Sequence, residues 1–204
     1  FEALEALDIP KLNEDLLALS EGKAVEIPRF DFITGKRFYS GDVLLMKENS
    51  ILIIEGIHAL NPDVITVPDS KLYKLYVSVR TRITKEGIVL NPAKIRLMRR
   101  MIRDRNFRKR SLDETMSMYN SVQAGENKYI MPYKTRSDYD IDTFLAYEMS
   151  VYRYNLLDDL RLMENKQELS DVIEILSSLA PMDNELVPRD ALIREFIGKG
   201  EFKY

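Results

Sequence analysis

The chain has 204 residues, no cysteine, and 33 acids against 30 lysines and arginines, for a net charge of -3. Such a length buries a sizeable core as one domain, or as one domain with a helical appendage. Disulfides and thiolate metal sites are excluded, one histidine (His58) leaves no second imidazole for zinc or a proton relay, and net acidity argues against broad nucleic-acid binding.

Asp8-Ile9-Pro10 reads as a helix start with proline in the first turn, followed by a stripe at Leu12, Leu16, Leu17 and Leu19 and closed by Gly22. Residues 23–27 predict a short edge strand. In the following segment, Phe30 and Phe32 stand at i and i+2 and share one side if extended. They are either core packing or a wall for a flat ring. Residues 42–46 predict a second short strand.

Residues 50–58 predict a central strand. Ile51-Leu52-Ile53-Ile54 lacks polar alternation, as a strand covered on both faces of a parallel sheet requires. Ligands collect outside the carboxyl ends of such strands, where Glu55 falls. A carboxylate there either caps a loop or holds a hard cation such as Mg²⁺ beside phosphates. His58 is expected as a packed or turn residue. Asn61-Pro62 opens a turn or short helix, and residues 72–79 predict a neighbouring strand.

Asn91-Pro92 is an N-cap with proline at the first helical position. The helix it opens carries Arg96, Arg99, Arg100 and Arg103 at i, i+3, i+4 and i+7, which predicts one basic face. Arg105, Arg108, Lys109 and Arg110 crowd the connection to a capping box at Ser111 to Glu114. Like charges at i, i+4 repel unless an anion is present, and arginine suits bidentate clamping of phosphate. A solvated face, a lid over a nucleotide or an RNA-backbone surface would each use these residues. Residues 113–130 predict a helix stopped by Pro132, 137–142 a last strand, and 147–163 and 169–179 two further helices. The tail around 187–198 is expected as a short capped helix, and the last third reads as packing.

In order, Ile27-Pro28-Arg29-Phe30-Asp31-Phe32 with Arg37, Ile53-Ile54-Glu55-Gly56-Ile57, the arginine series through Arg110, and Tyr129-Ile130-Met131-Pro132 before Ser137-Asp138 resemble the uridine kinase and phosphoribulokinase family of P-loop kinases. The tail Arg194-Glu195-Phe196-Ile197-Gly198 is similar to a bacterial branch of uridine-kinase-like proteins. The resemblance implies an α/β fold, a three-layer P-loop-kinase-like parallel sheet truncated at its N-terminal edge, with a helical C-terminal extension. It places the partial kinase domain at 1–145 and the extension at 146–204.

The resemblance also implies ATP and Mg²⁺, a nucleoside acceptor, a cytoplasmic location and no membrane partner. Glu55 matches the acid that helps hold Mg²⁺. Arg100, Arg103 and Arg108 match lid residues that bind ATP, and Arg103, Arg108 and Arg110 match those that act on the transferring phosphoryl. Phe30, Phe32 and Arg37 match the acceptor side. Gly35 and Met118 depart from the histidine and glutamine that read the base in pyrimidine-specific members, which leaves the acceptor open. No G-x-x-x-x-G-K-[ST] occurs; in the family that loop and the base precede the point where this chain starts. The 204 residues alone are therefore expected to be inactive, the alternative being a non-catalytic nucleotide- or RNA-binding or regulatory module on the kinase scaffold. An open sheet edge and uncovered apolar face would favour a homo-oligomer.

Overall fold

The computed structural model describes residues 4–31, 34–164 and 166–202. The protein is α/β. Helix α1 (Ile9–Ser20) starts where Asp8 accepts the Lys11 N–H at 3.1 Å, and ends at Gly22, whose φ is +74°. Strands β1 (Val25–Asp31) and β2 (Lys36–Leu44) form an antiparallel hairpin. They overlap the expected 23–27 and 42–46 only in part: β1 continues to Asp31 and β2 starts as early as Lys36 but stops at Leu44, because cross-strand pairing recruits residues that local pattern leaves unassigned. The register shifts between Glu26 and Pro28; proline has no N–H for the ladder and is tolerated at such an irregularity.

Strand β3 (Leu75–Ser78) pairs with β6 (Tyr139–Asp142). Lys74 O accepts the Asp138 N–H at 2.8 Å and Ser78 O the Thr143 N–H at 3.1 Å, an order that makes the pair parallel. Strands β4 (Ile83–Lys85) and β5 (Ile88–Leu90) form a second hairpin, turning through Glu86 and Gly87, both with positive φ. Helices α2 (Pro92–Arg108), α3 (Leu112–Ser117), α4 (Tyr119–Tyr129), α5 (Glu148–Leu162), α6 (Ser170–Ser177) and α7 (Arg194–Ile197) complete the order. The single helix expected over 113–130 breaks at Met118 into α3 and α4.

The expected central strand is corrected. Residues 50–57 form no ladder, and Ile51 and Ile53 are 89% and 85% exposed. A strand covered on both faces needs hydrogen-bonded neighbours and packed helices, and among the described residues none pairs with this segment. Its apolar run records a demand for cover, without supplying the partners that would meet it.

The chain divides into two compact units. One takes Phe1–Tyr76 and Gly125–Tyr139. Its small core sets Leu16 of α1 against Val64 and Ile65, and Asn13 ties α1 to that turn by donating to Val64 O at 2.8 Å and accepting the Thr66 N–H at 2.9 Å. His58 is buried there, edge-on to the Tyr129 ring at 5.9 Å. The other unit takes Val77–Ala124 and Asp140–Tyr204. Its core is larger: Leu97, Met98, Met101 and Ile102 of α2 pack with Leu156 and Leu160 of α5, Ile175 and Leu176 of α6, and Phe196 and Ile197 of α7. The C-terminal helices thus lie directly against the arginine-bearing helix.

Candidate functional site

Helix α2 is capped as its sequence dictates: the Asn91 side chain accepts the Lys94 N–H at 3.2 Å, and Pro92 needs no partner in the first turn. Leu97, Met101 and Asp104 follow one stripe at i, i+4 and i+7, and all three are buried. An acid therefore occupies the position where the third apolar residue belongs, with 0% of its surface exposed.

Four guanidinium groups surround it. Arg108 Nη1 donates to Asp104 Oδ1 at 3.1 Å, Arg103 Nε lies 3.6 Å from the same oxygen, and Arg110 Nη1 and Arg100 Nε lie 3.6 and 4.0 Å from Oδ2. The backbone closes the arrangement. Lys109 ends the helix in the left-handed region, at φ 54° and ψ 33°, and the Lys109 and Arg110 N–H groups both turn back to Asp104 O. That reversal carries Arg110 over the carboxylate instead of onward along the helix axis. Ser111 then restarts the chain with the expected reciprocal capping box, donating and accepting with Glu114.

One carboxylate among four guanidiniums leaves a positive surplus. Arg103 is held below the usual arginine range by burial first and by Arg108 next, with Asp104 and Glu195 acting the other way. The Nε groups of Arg100 and Arg103 are buried without a hydrogen-bond partner, as is Asp104 Oδ2. Buried donors left in this state cost about 1–3 kcal/mol each, more when charged. The side chains of Arg100, Arg103, Arg108 and Arg110 are still 25, 27, 45 and 44% exposed, so their outer N–H groups can meet an anion with several oxygens. The cluster therefore fits a polyphosphate such as that of ATP.

The basic face is corrected at Arg99. Its guanidinium is buried, donating to Glu148 Oε2 at 2.8 Å and to Thr143 O at 2.7 Å, and it lies over the Phe196 ring at 5.3 Å. Tyr152 also donates to Glu148 Oε2, at 2.8 Å. Arg99 clamps α2 to α5 and is unavailable to a ligand. The sequence hides this, because its partner carboxylate lies 49 residues away.

Of the residues expected on the acceptor side, Phe30 and Arg37 lie in the first hairpin. Phe30 and Arg37 face each other across β1 and β2, and Phe30 is about half exposed. The Arg37 guanidinium pairs with Asp8, which holds it above its usual range, and approaches the Tyr39 ring at 6.0 Å. Phe32 lies outside the described residues. Gly35 closes the turn with φ +65°, its N–H donating to Asp31 O at 2.8 Å. A histidine there would be strained. Met118 ends α3 and is half-buried. Glu55 is exposed, in a segment without regular structure. No group of three or more metal-binding side chains exists among the described residues. Glu55 thus fits only a cation held mainly by phosphate oxygens, which is how Mg²⁺ is usually bound.

Residues 1–149 match the family described as phosphoribulokinase / uridine kinase. A uridine kinase of Staphylococcus haemolyticus (strain JCSC1435) is 31% identical over 134 residues, and one of Staphylococcus aureus (strain JH9) is 33% identical over the same length. Each alignment covers 65% of this chain and 57% of the relative, so the chain spans little more than half the length of these relatives. No helix of the described residues is long and apolar enough to cross a membrane.

Proposed function

Since this chain belongs to the phosphoribulokinase / uridine kinase family, we propose that it is the lid- and acceptor-bearing portion of an ATP-dependent nucleoside kinase. The observation that carries this is the convergence of Arg100, Arg103, Arg108 and Arg110 on one buried carboxylate, with a surplus of positive charge and unpartnered donors. Phosphoryl transfer asks the protein chiefly for positioning and for charge at the equatorial oxygens. Arg100, Arg103 and Arg108 would grip the ATP phosphates; Arg103, Arg108 and Arg110 would stabilise the charge that spreads over the group in transfer. Glu55 would help hold Mg²⁺, which would supply charge neutralisation at the phosphates. Phe30 and Phe32 would stack the acceptor, with Arg37 freed from Asp8 to reach it. The three-layer sheet, truncated at its N-terminal edge, and the 1–145 and 146–204 division belong to this same proposal.

The acceptor is a nucleoside hydroxyl. Its base stays open, because Gly35 serves a positive-φ turn and Met118 offers no hydrogen bond. Without a G-x-x-x-x-G-K-[ST] sequence these residues carry no phosphate loop, and turnover by them alone is not proposed. Calorimetric titration of the chain with MgATP and then with a nucleoside panel tests the reading. Saturable nucleoside binding that Phe32→Ala abolishes supports it. If no nucleoside binds to cooperatively folded protein, the acceptor assignment falls.

A further inference from the structure

We propose that Asp104 is the positioning residue of the arginine lid: its buried carboxylate and main-chain oxygen hold four guanidiniums converged before any anion arrives. This deepens the function proposed above and rests on it. Arginines at i, i+3 and i+4 otherwise splay away from one another, since like charges at that spacing repel. Asp104 counters this twice. Its Oδ1 takes Arg108 from the following turn and the adjacent Arg103, and its Oδ2 lies against Arg100 from the preceding turn and Arg110. Its main-chain O pins the left-handed turn at Lys109, the turn that returns Arg110 to the cluster. Only the Arg108 contact is a hydrogen bond; the others, at 3.6 to 4.0 Å, are ion pairs. The guanidiniums are thus gathered by one weak competitor and keep donors to offer. A ligand meeting such a cup need not pay to order long side chains itself, which is where preorganised sites gain affinity.

The sign of a charge-neutralising substitution separates positioning from mere proximity. Asp104→Asn makes the cluster more positive, so simple electrostatics predicts tighter binding of an anion. Loss of convergence predicts weaker binding. Calorimetry of the whole chain with inorganic tripolyphosphate is the experiment, with Leu176→Ala, a core truncation on α6, as the control for lost stability. We expect Asp104→Asn to weaken tripolyphosphate at least tenfold while Leu176→Ala leaves it unchanged. Equal or tighter binding by Asp104→Asn overturns the proposal, and so does a wild-type chain that binds no tripolyphosphate. If Asp104→Asn does not fold, NMR of the wild-type arginine side chains decides. Dispersed, exchange-protected Nε–H signals for Arg100 and Arg103 support the proposal, and signals at free-arginine positions refute it. Nucleoside titration of the same samples judges the kinase reading separately.

Discussion

Glu148 has none of its surface in water, and its carboxylate is met by Arg99 and Tyr152. Burial pushes its carboxyl above the usual range despite the neighbouring arginine. For Arg99, burial alone would lower the pKa, but Tyr152 and Glu148 outweigh it and raise it. Breaking such a pair from one side strands a charge, at about 3–5 kcal/mol, whereas replacing both members by apolar groups is often neutral. Arg99→Met should therefore lower unfolding free energy in urea by about that amount, and Arg99→Met with Glu148→Met should recover most of it. A single substitution costing under about 1 kcal/mol would show that the pair is not the clamp it is drawn as. Arginine count made the basic cluster legible in the sequence; the inward turn of Arg99 and the role of Asp104 were not, because both depend on which side of α2 meets the core. The one local clue was an acid at i+7 in the stripe begun by Leu97.

Along single elements the sequence speaks more directly. Asp8, Asn91 and Ser111 start helices where their side chains cap nearby N–H groups, and these signals need no distant partner. The β4–β5 hairpin was equally local in its Glu86-Gly87 turn, yet strands of three residues give too little alternation to read. The segment 50–57 failed for the opposite reason, since its pattern is strong but strand pairing is not local. Two predictions belong to this scale. Lys109 is strained in a left-handed C-cap that glycine adopts freely, so Lys109→Gly should raise stability by about 0.5–1 kcal/mol in thermal melts, the left-handed cost less glycine's backbone entropy. Ser111→Ala should cost about 1 kcal/mol by removing the capping box. Reversal of either sign would mean the turn is set by its surroundings and not by its own backbone.

For the molecule as a whole, charge sets the pH response. Asp8, Asp42 and Asp69 have carboxyls held below 3.8, and Glu21, Glu114 and Glu185 below 4.5, by hydrogen bonds first; Asp142 is also lowered, its hydrogen bonds overcoming burial. A lowered folded-state pKa contributes stability that is present above the unfolded value and lost as pH falls through the folded one. Glu148 runs the other way: its contribution is present below 4.5 and lost as pH rises. Seven groups against one predict a Tm that drops between about pH 5 and pH 3. Since all seven lie near water, added salt should shrink the drop. A flat Tm across that window would contradict the assigned partners.

Neither compact unit is a continuous piece of chain: the first needs Gly125–Tyr139, which is made long after Tyr76. On a ribosome adding about 5–20 residues per second, the first unit's early residues wait several seconds for their closing segment. Throughout that interval His58 lacks the Tyr129 ring it packs against, and Leu60 O and the Asp69 carboxylate lack Arg136. Yield from cells should therefore respond to translation speed and to chaperone supply more than to any single contact in the completed fold.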